Sequence, residues 1–521
     1  MDRYWQAPNV IAVLVNKEGL HGGNMKQKKK VVLIMTDTQR KDMLGCYGNK
    51  DMKTPCLDKL AAEGVRFENA YTCQPVCGPA RSALFTGTYP HSNGSWGNSM
   101  ALGDNVKTVG QRLADNGIHC AYMGKWHLDG GDYFGFGRCP EGWDENYWYD
   151  MKCYLDELSE KDRVRSRNAR TNEDDLDESF LYGHRVSNKA IDFLDKHGDE
   201  DFLLVVSYDE PHHPFLCPRR FIDMYKGYEF KKDPSIWDRL DDKPVHHKAW
   251  SGDSFKNDKD SVKLDSYAYF LACNSYVDYE IGRVVEAIEK NAPDTLVIYT
   301  TDHGDMMNSH SISGKGPAMY QEIINIPFIV KCPGLAPSGT ASESLLSHID
   351  VVPTIMDYMG IDIPKILEGK SNLEVLRNPG SSANNEIFVE FGRYEIDHDG
   401  FGGFQPIRCC RDSRYKLVIN LLTTDELYDL KEDPYEMKNL IDSEDHEKTR
   451  NSLHDRILDW MNTTRDPFRG YYWERRPWRK DARDATWPYT GMTRQRENEE
   501  YEPRQLDYST GLEITEAHRR K

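Results

Sequence analysis

Cys77 and Arg81 stand in the run Cys77-Gly78-Pro79-Ala80-Arg81, and their types and spacing suit them to handle an oxyanion. Pro75 and the Gly78-Pro79 pair break the backbone twice, and Pro79 fits the first turn of a helix running through Ala83, Leu84 and Phe85 to a stop at Gly87. That places Cys77 at a helix N-terminus, where unpaired amides and the positive end of the helix dipole favour a thiolate, an alkoxide or a bound tetrahedral anion. Arg81, one turn on, adds a permanent cation on the same side.

The elements that must position these groups alternate between apolar runs and helical patterns, which predicts an α/β fold with a large, mostly parallel sheet flanked by helices. Val31–Met35 is a short continuous apolar run, as a strand buried on both faces should be, and Asp37 lies beyond it. Ile118–Met123, Phe202–Ser207 and Thr295–Thr301 are further strand candidates. Each is followed by chemically capable residues: Lys125 and His127, then His212 and His213, then Asp302 and His303. In open α/β sheets ligands collect beyond the carboxyl ends of the strands, so these sets are expected to meet in one crevice. Thr54–Gly64 reads as a capped helix, and Val65–Tyr71 as a strand returning toward Cys77. From about Ser381 the texture changes. Glu386–Phe391, Pro406–Cys410 and Tyr415–Asn420 read as antiparallel strands, with an amphipathic helix over His446–Met461 packed on them.

Taken together, Cys77-Gly78-Pro79-Ala80-Arg81 with Thr86-Gly87 resembles the signature of the type I sulfatases, members of the alkaline phosphatase superfamily whose motif cysteine becomes formylglycine. Similar segments recur in order from Val31 to about Leu440. Gly124-Lys125-Trp126-His127 resembles the family's lysine and histidine pair, Pro211-His212-His213-Pro214 its histidine before x-Pro, and Gly314-Lys315-Gly316-Pro317 with Tyr320 its second lysine segment. Thr300–Asp305 resembles its second metal-binding segment, and Glu426–Leu440 the ending of its C-terminal subdomain. The resemblance implies a sulfatase in which the Cys77-derived hydrate is the nucleophile, Arg81, Lys125, His127, His212 and Lys315 are catalytic, and Asp37, Asp302, His303 and the Cys77-derived hydroxyl hold a divalent metal. Calcium is the first choice. Many sulfatases carry two successive aspartates where this chain has Asp37-Thr38, and with His303 as a nitrogen ligand this leaves magnesium or manganese open. Asn98, His213, His310 and Arg393 fall where the family places further pocket residues. The implied domains are an appendage at 1–24, a catalytic domain at 25–380, an antiparallel-sheet subdomain at 381–466 and an Arg- and aromatic-rich tail at 467–521, whose aromatics could face a sugar.

Composition narrows the partners. The chain has 521 residues and a net charge of -18, which argues against nucleic acid or an anionic membrane, so an anionic substrate must meet a local basic pocket. No apolar run reaches membrane-spanning length, and Ile11–Val15 is too short for a signal-peptide core. Twelve cysteines without paired spacing read as reduced thiols, consistent with the cytoplasm. The expected partners are a small sulfated sugar and a formylglycine-generating maturation enzyme, and homo-oligomerisation is left open. Two alternatives accompany the sulfatase reading: a phosphonate monoester or phosphodiester hydrolase of the same superfamily, and a non-catalytic binder of sulfated glycans.

Overall fold

The structure, a computed structural model, describes residues 29–228, 233–252, 265–395 and 404–482. The appendage at 1–24 and the tail beyond 482 lie outside these.

Eight strands form the main sheet: β1 (Lys30–Thr36), β2 (Val65–Tyr71), β3 (His119–Gly124), β4 (Trp148–Tyr149), β5 (Phe202–Ser207), β6 (Leu296–Thr301), β7 (Asn325–Lys331) and β8 (Thr340–Ser347). Their order is β4-β3-β5-β1-β6-β7-β2-β8. β7 runs antiparallel to both of its neighbours, and every other pair is parallel. β1, β5 and β6 are buried at every position, which is why each carries a continuous apolar stretch rather than an alternating one: Val31–Met35, Phe202–Val206 and Leu296–Ile298. Helices α1 (Pro55–Glu63), α2 (Cys77–Thr86), α3 (Tyr182–His197), α4 (Asp265–Asn291) and α5 (Val351–Met359) flank the sheet. Side chains alternate along the strands, so Val31, Leu33 and Met35 join a core with α2 and α5, while Val32 and Ile34 join another with α1, α3 and α4.

The register decides where the chemistry lies. Gly124 pairs with Ser207, Met35 with Ser207 and Thr36 with Thr301, so β3, β5, β1 and β6 end level with one another. The first residues beyond those ends are Lys125, Tyr208, Asp37 and Asp302. Gly124 is needed at its edge: its φ is +120°, and a Cβ there would lie 1.8 Å from the Ser207 carbonyl oxygen. The Lys125 amide donates to that same carbonyl at 2.8 Å.

A second, antiparallel sheet has the order β12-β11-β10-β9, from β9 (Ile387–Phe391), β10 (Ile407–Arg411), β11 (Tyr415–Asn420) and β12 (Glu426–Asp429). Helix α6 (Glu447–Thr463) packs on it through Leu453, Ile457, Trp460 and Met461. The described part of the tail continues this packing. Trp473 is buried in the same cluster, Arg476 pairs with Asp425 at 2.7 and 2.9 Å, and Trp478 donates to Asp425 at 2.8 Å. The composition changes at residue 466; the packing does not.

Candidate active site

Helix α2 begins at Cys77, as the proline and glycine pattern requires, and ends at Gly87, whose φ of +72° closes the last turn. One early amide is satisfied from outside the helix, since Gly78 N–H donates to Asn98 Oδ1 at 2.8 Å. The buried Cys77 Sγ lies 2.6 Å from Lys315 Nζ, 3.4 Å from His303 Nε2 and 3.7 Å from Asp37 Oδ1. Burial and Asp37 raise the Cys77 thiol's pKa, yet Lys315, Lys125 and His303 overcome them and hold it well below its ordinary value.

Each aspartate turns one oxygen toward a buried cation, while the other faces Cys77 in Asp37 and His303 in Asp302. Asp37 Oδ2 accepts from Arg81 at 3.1 Å and lies 2.7 Å from Lys125 Nζ; its Oδ1 accepts from the Thr38 hydroxyl at 2.7 Å. Asp302 Oδ2 accepts from Arg81 Nε at 3.1 Å, while its Oδ1 accepts from the amides of Thr38 and His303 at 3.1 and 2.9 Å. Arg81 also donates to the Lys125 carbonyl and to Ser207 Oγ, so one fully buried guanidinium ties α2 to the ends of β1, β3, β5 and β6. The consequences for protonation differ. Burial works against Asp37's charge, but Lys125 and Lys315 hold its pKa well below the usual range; burial and the neighbouring Asp37 push Asp302 up to about 6.

These side chains fit a metal ion. Asp37, Cys77, Asp302 and His303 offer ligand atoms all within 4.8 Å of one another, and all four residues are buried. His303 Nδ1 donates to the Gly304 carbonyl at 2.8 Å, which leaves Nε2 as the nitrogen facing Cys77, Asp37 and Asp302 and available to a metal once it is unprotonated.

Lys125 Nζ lies between Asp37 and Asp209 and 3.8 Å from the centre of the Tyr133 ring. His127 has a φ of +60°, and neither of its buried ring nitrogens has a hydrogen-bond partner among the described residues. Its pKa is lowered by burial and by Lys125. His212 Nδ1 donates to the His213 carbonyl at 2.9 Å, with the Tyr133 hydroxyl 3.1 Å away. Among the additional pocket candidates, Asn98 supports α2 directly. The residue after Arg393 meets it, because Asn98 N–H donates to the Tyr394 carbonyl at 2.8 Å. His213 is exposed, with its ring against Phe215. His310 is fully buried, stacked on Tyr320 and bonded to Asp238 at 2.7 Å; none of its contacts reaches Cys77. A cavity of about 1170 Å³ lies elsewhere, between the far end of α2 and α6, and contains none of these residues.

Sequence reasoning missed Asp209 and Tyr133, which contact Lys125 and His212. Asp209 stands three residues before His212 and was within reach of that motif. Tyr133 lies in the loop Gly130-Gly131-Asp132-Tyr133-Phe134-Gly135, which carries no such signal.

The sulfatase family model matches residues 29–361, and the one described as N-sulphoglucosamine sulphohydrolase, C-terminal, matches residues 315–463. The chain is 45% identical over 496 residues to an uncharacterised sulfatase, YidJ, of Escherichia coli (strain K12), covering 93% of this chain and 97% of that protein. A solved protein in complex with its substrate D-glucosamine-2-N,6-O-disulfate aligns with a TM-score of 0.70 at 20% identity, covering 85% of this chain and 99% of the other. The phosphonate monoester hydrolase of Agrobacterium radiobacter aligns with a TM-score of 0.69 at 20% identity, covering 84% and 96%. At these identities the two structures establish the shared fold.

Proposed function

The chain belongs to the sulfatase family of the alkaline phosphatase superfamily and is a sulfuric ester hydrolase, and on that premise we propose that it cleaves the sulfate ester of a small sulfated carbohydrate through a formylglycine hydrate made from Cys77. The observation that carries this reading is the placement of Cys77 at the start of α2, with Lys315 at 2.6 Å and His303 at 3.4 Å beside two buried carboxylates.

Sulfate transfer asks for a nucleophile, charge neutralisation and a proton for the leaving oxygen. Asp37, Asp302, His303 and the Cys77 side chain would hold a divalent cation, which when bound supplies Lewis acidity and positive charge at the sulfate. Calcium remains the first choice for this oxygen-rich set. Thr38, whose hydroxyl is bonded to Asp37, adds no second carboxylate, and with the His303 nitrogen this keeps magnesium and manganese open. Lys125, Lys315 and the α2 N-terminus add positive charge around the anion, while Arg81 fixes the two aspartates from behind. With Cys77 converted to the aldehyde hydrate, one of its hydroxyls would give up its proton to water and form the bond to sulfur as the bond from sulfur to the ester oxygen breaks, and His212, with Lys315, would protonate the departing oxygen. His127, whose ring nitrogens have no hydrogen-bond partner among the described residues, would then take the proton of the second hydroxyl, so that sulfate leaves and the aldehyde returns.

A phosphonate hydrolase reading is less favoured because the chain keeps Lys125 and His127, the pair in which the phosphonate branch departs from sulfatases, and both interact electrostatically with Cys77. Relative turnover of an aryl sulfate and an aryl phosphonate separates the two. The twelve free thiols favour a reducing compartment such as the cytoplasm, and among the described residues no helix is long and apolar enough to cross a membrane. A cytoplasmic substrate would be a mono- or disaccharide sulfate.

The test is chemical. Protein made alongside a maturation enzyme should carry an aldehyde hydrate at Cys77, found by peptide mass or hydrazide trapping, while the buried Cys73 stays a thiol. Cys77→Ala should abolish sulfate release. Full activity with an intact Cys77 thiol would overturn the mechanism.

A further inference from the structure

Tyr133 touches three of the residues assigned above to catalysis. Its ring centre lies 3.8 Å from Lys125 Nζ, 5.7 Å from the His127 ring and 5.2 Å from the His212 ring. Its hydroxyl meets both His212 Nδ1 and Asp209 Oδ1. The direction of these hydrogen bonds follows from what each atom can do. A carbonyl oxygen only accepts, so the contact between His212 Nδ1 and the His213 carbonyl requires a proton on Nδ1. That N–H also faces the Tyr133 oxygen, whose own proton goes to Asp209. Asp209 remains ionised although burial opposes its charge, because Lys125, His212 and Arg167 lower its pKa. The chain therefore runs one way, from His212 Nδ1–H to Tyr133 Oη–H to the Asp209 carboxylate. The same carboxylate oxygen takes Lys125 Nζ at 3.1 Å, and the other lies 3.6 Å from Arg167. The peptide backbone closes the unit, with His212 N–H donating to the Asp209 carbonyl at 2.9 Å.

We propose that Asp209 and Tyr133 are positioning residues that aim His212 Nε2 at the departing oxygen and hold Lys125 at the sulfate pocket; this rests on the proton-donor and cation roles given above to His212 and Lys125. With the Nδ1 proton held by the chain, Nε2 is the nitrogen that carries the transferable proton. When that proton moves to the leaving oxygen, His212 is left as the neutral Nδ1–H tautomer, which the His213 carbonyl and Tyr133 already accommodate. The carboxylate at the end of the chain stabilises the imidazolium that precedes transfer, and itself gains no proton. Tyr133→Phe breaks only the histidine arm, whereas Asp209→Asn also weakens the hold on Lys125.

The readout is the demand for a leaving-group proton. An activated aryl sulfate such as 4-nitrophenyl sulfate departs without one, while an alkyl sulfate such as the 6-sulfate of methyl glucosaminide needs one. General acid catalysis contributes about 10²- to 10⁴-fold. Tyr133→Phe should therefore lower kcat/KM for the alkyl sulfate by roughly ten- to a hundredfold while changing the aryl sulfate by less than about threefold. Asp209→Asn should lower both, the alkyl sulfate more, and Asp209→Glu should restore part of the difference. If both variants reduce the two substrates by the same factor, or reduce neither, the positioning inference is wrong. The Tyr133→Phe result decides the matter should Asp209→Asn fail to fold. Failure of the underlying reading would look different, as sulfate release by Cys77→Ala or by protein without the aldehyde.

Discussion

Arg81 offers a direct test of how this site is held together. It has no solvent exposure, and its guanidinium reaches Asp37 and Asp302, each at 3.1 Å, as well as the Lys125 carbonyl at 2.7 Å and Ser207 Oγ at 2.8 Å. In Arg81→Met the volume is roughly kept but the charge is gone. The Lys125 carbonyl stays satisfied by the hydroxyls of Tyr122 and Ser207, and Asp37 keeps Lys125. Asp302 loses its cation on the Oδ2 side, so the cost should come mainly from a stranded buried carboxylate, about 3–5 kcal/mol against a typical total of about 5–15 kcal/mol. Urea unfolding followed by tryptophan fluorescence would read this as a fall in midpoint at unchanged m-value. A saturating divalent cation should shrink the loss, because the ion would restore positive charge beside Asp302. Arg81→Lys should recover only part of it, since one ammonium cannot span four acceptors. A destabilisation below about 1 kcal/mol in metal-free protein would refute this account. It would indicate that the two carboxylates are neutralised by other groups and that Arg81 acts on the substrate alone.

Asp302→Asn should cut metal content, measured by elemental analysis, and lower turnover by at least about a hundredfold while circular dichroism stays native. Asp278 caps α1 by accepting from the amides of Cys56 and Leu57, and burial raises its pKa to about 7. A raised carboxylate binds its proton more tightly when folded, so its contribution is complete below about pH 4 and is lost as pH rises through 7, by up to roughly 4 kcal/mol. Asp278→Asn should flatten that part of the stability profile, and an unchanged slope between pH 4 and 7 would count against it. Truncation after Asp466 removes Trp473 and two partners of Asp425, Arg476 and Trp478, so it should lower the melting temperature and reduce aryl and sugar sulfate turnover by the same factor; a selective loss on sugar sulfates would instead place the tail at the substrate.

Much of the architecture could be read in advance because buried parallel strands leave an unambiguous trace. Val31–Met35 and Phe202–Val206 are apolar throughout, as a strand with both faces covered is expected to be. The helix starting at Cys77 was equally legible, since a proline at its third position and a glycine stop constrain the backbone locally. The antiparallel insertion of β7 between β6 and β2 left no comparable trace: a short apolar run is the same in either direction, and strand order depends on contacts far apart in the chain.

The site divides along the same line. Asp37, Lys125, Asp302 and His303 could be listed because each follows a strand, but their division of labour could not, because it depends on which carboxylate oxygen faces which cation. Sequence gives Arg81 a place one turn after Cys77 and suggests an anion-binding charge; the fold instead turns its guanidinium toward the Oδ2 atoms of both aspartates, leaving the Oδ1 atoms toward Cys77 and His303. His310 shows the converse. A family-like position implies a pocket residue; in the structure its Nδ1 is bonded to Asp238 and its ring stacked on Tyr320, with Nε2 left unpartnered among the described residues, whereas neither ring nitrogen of His127 has a hydrogen-bond partner there. A histidine already bonded to a buried carboxylate has a structural partner to lose, so His310→Gln should cost stability more than turnover, and His127→Gln should do the reverse. Equal effects of the two substitutions on both measurements would show that bonding partners in the folded chain do not distinguish proton-transfer histidines from supporting ones here.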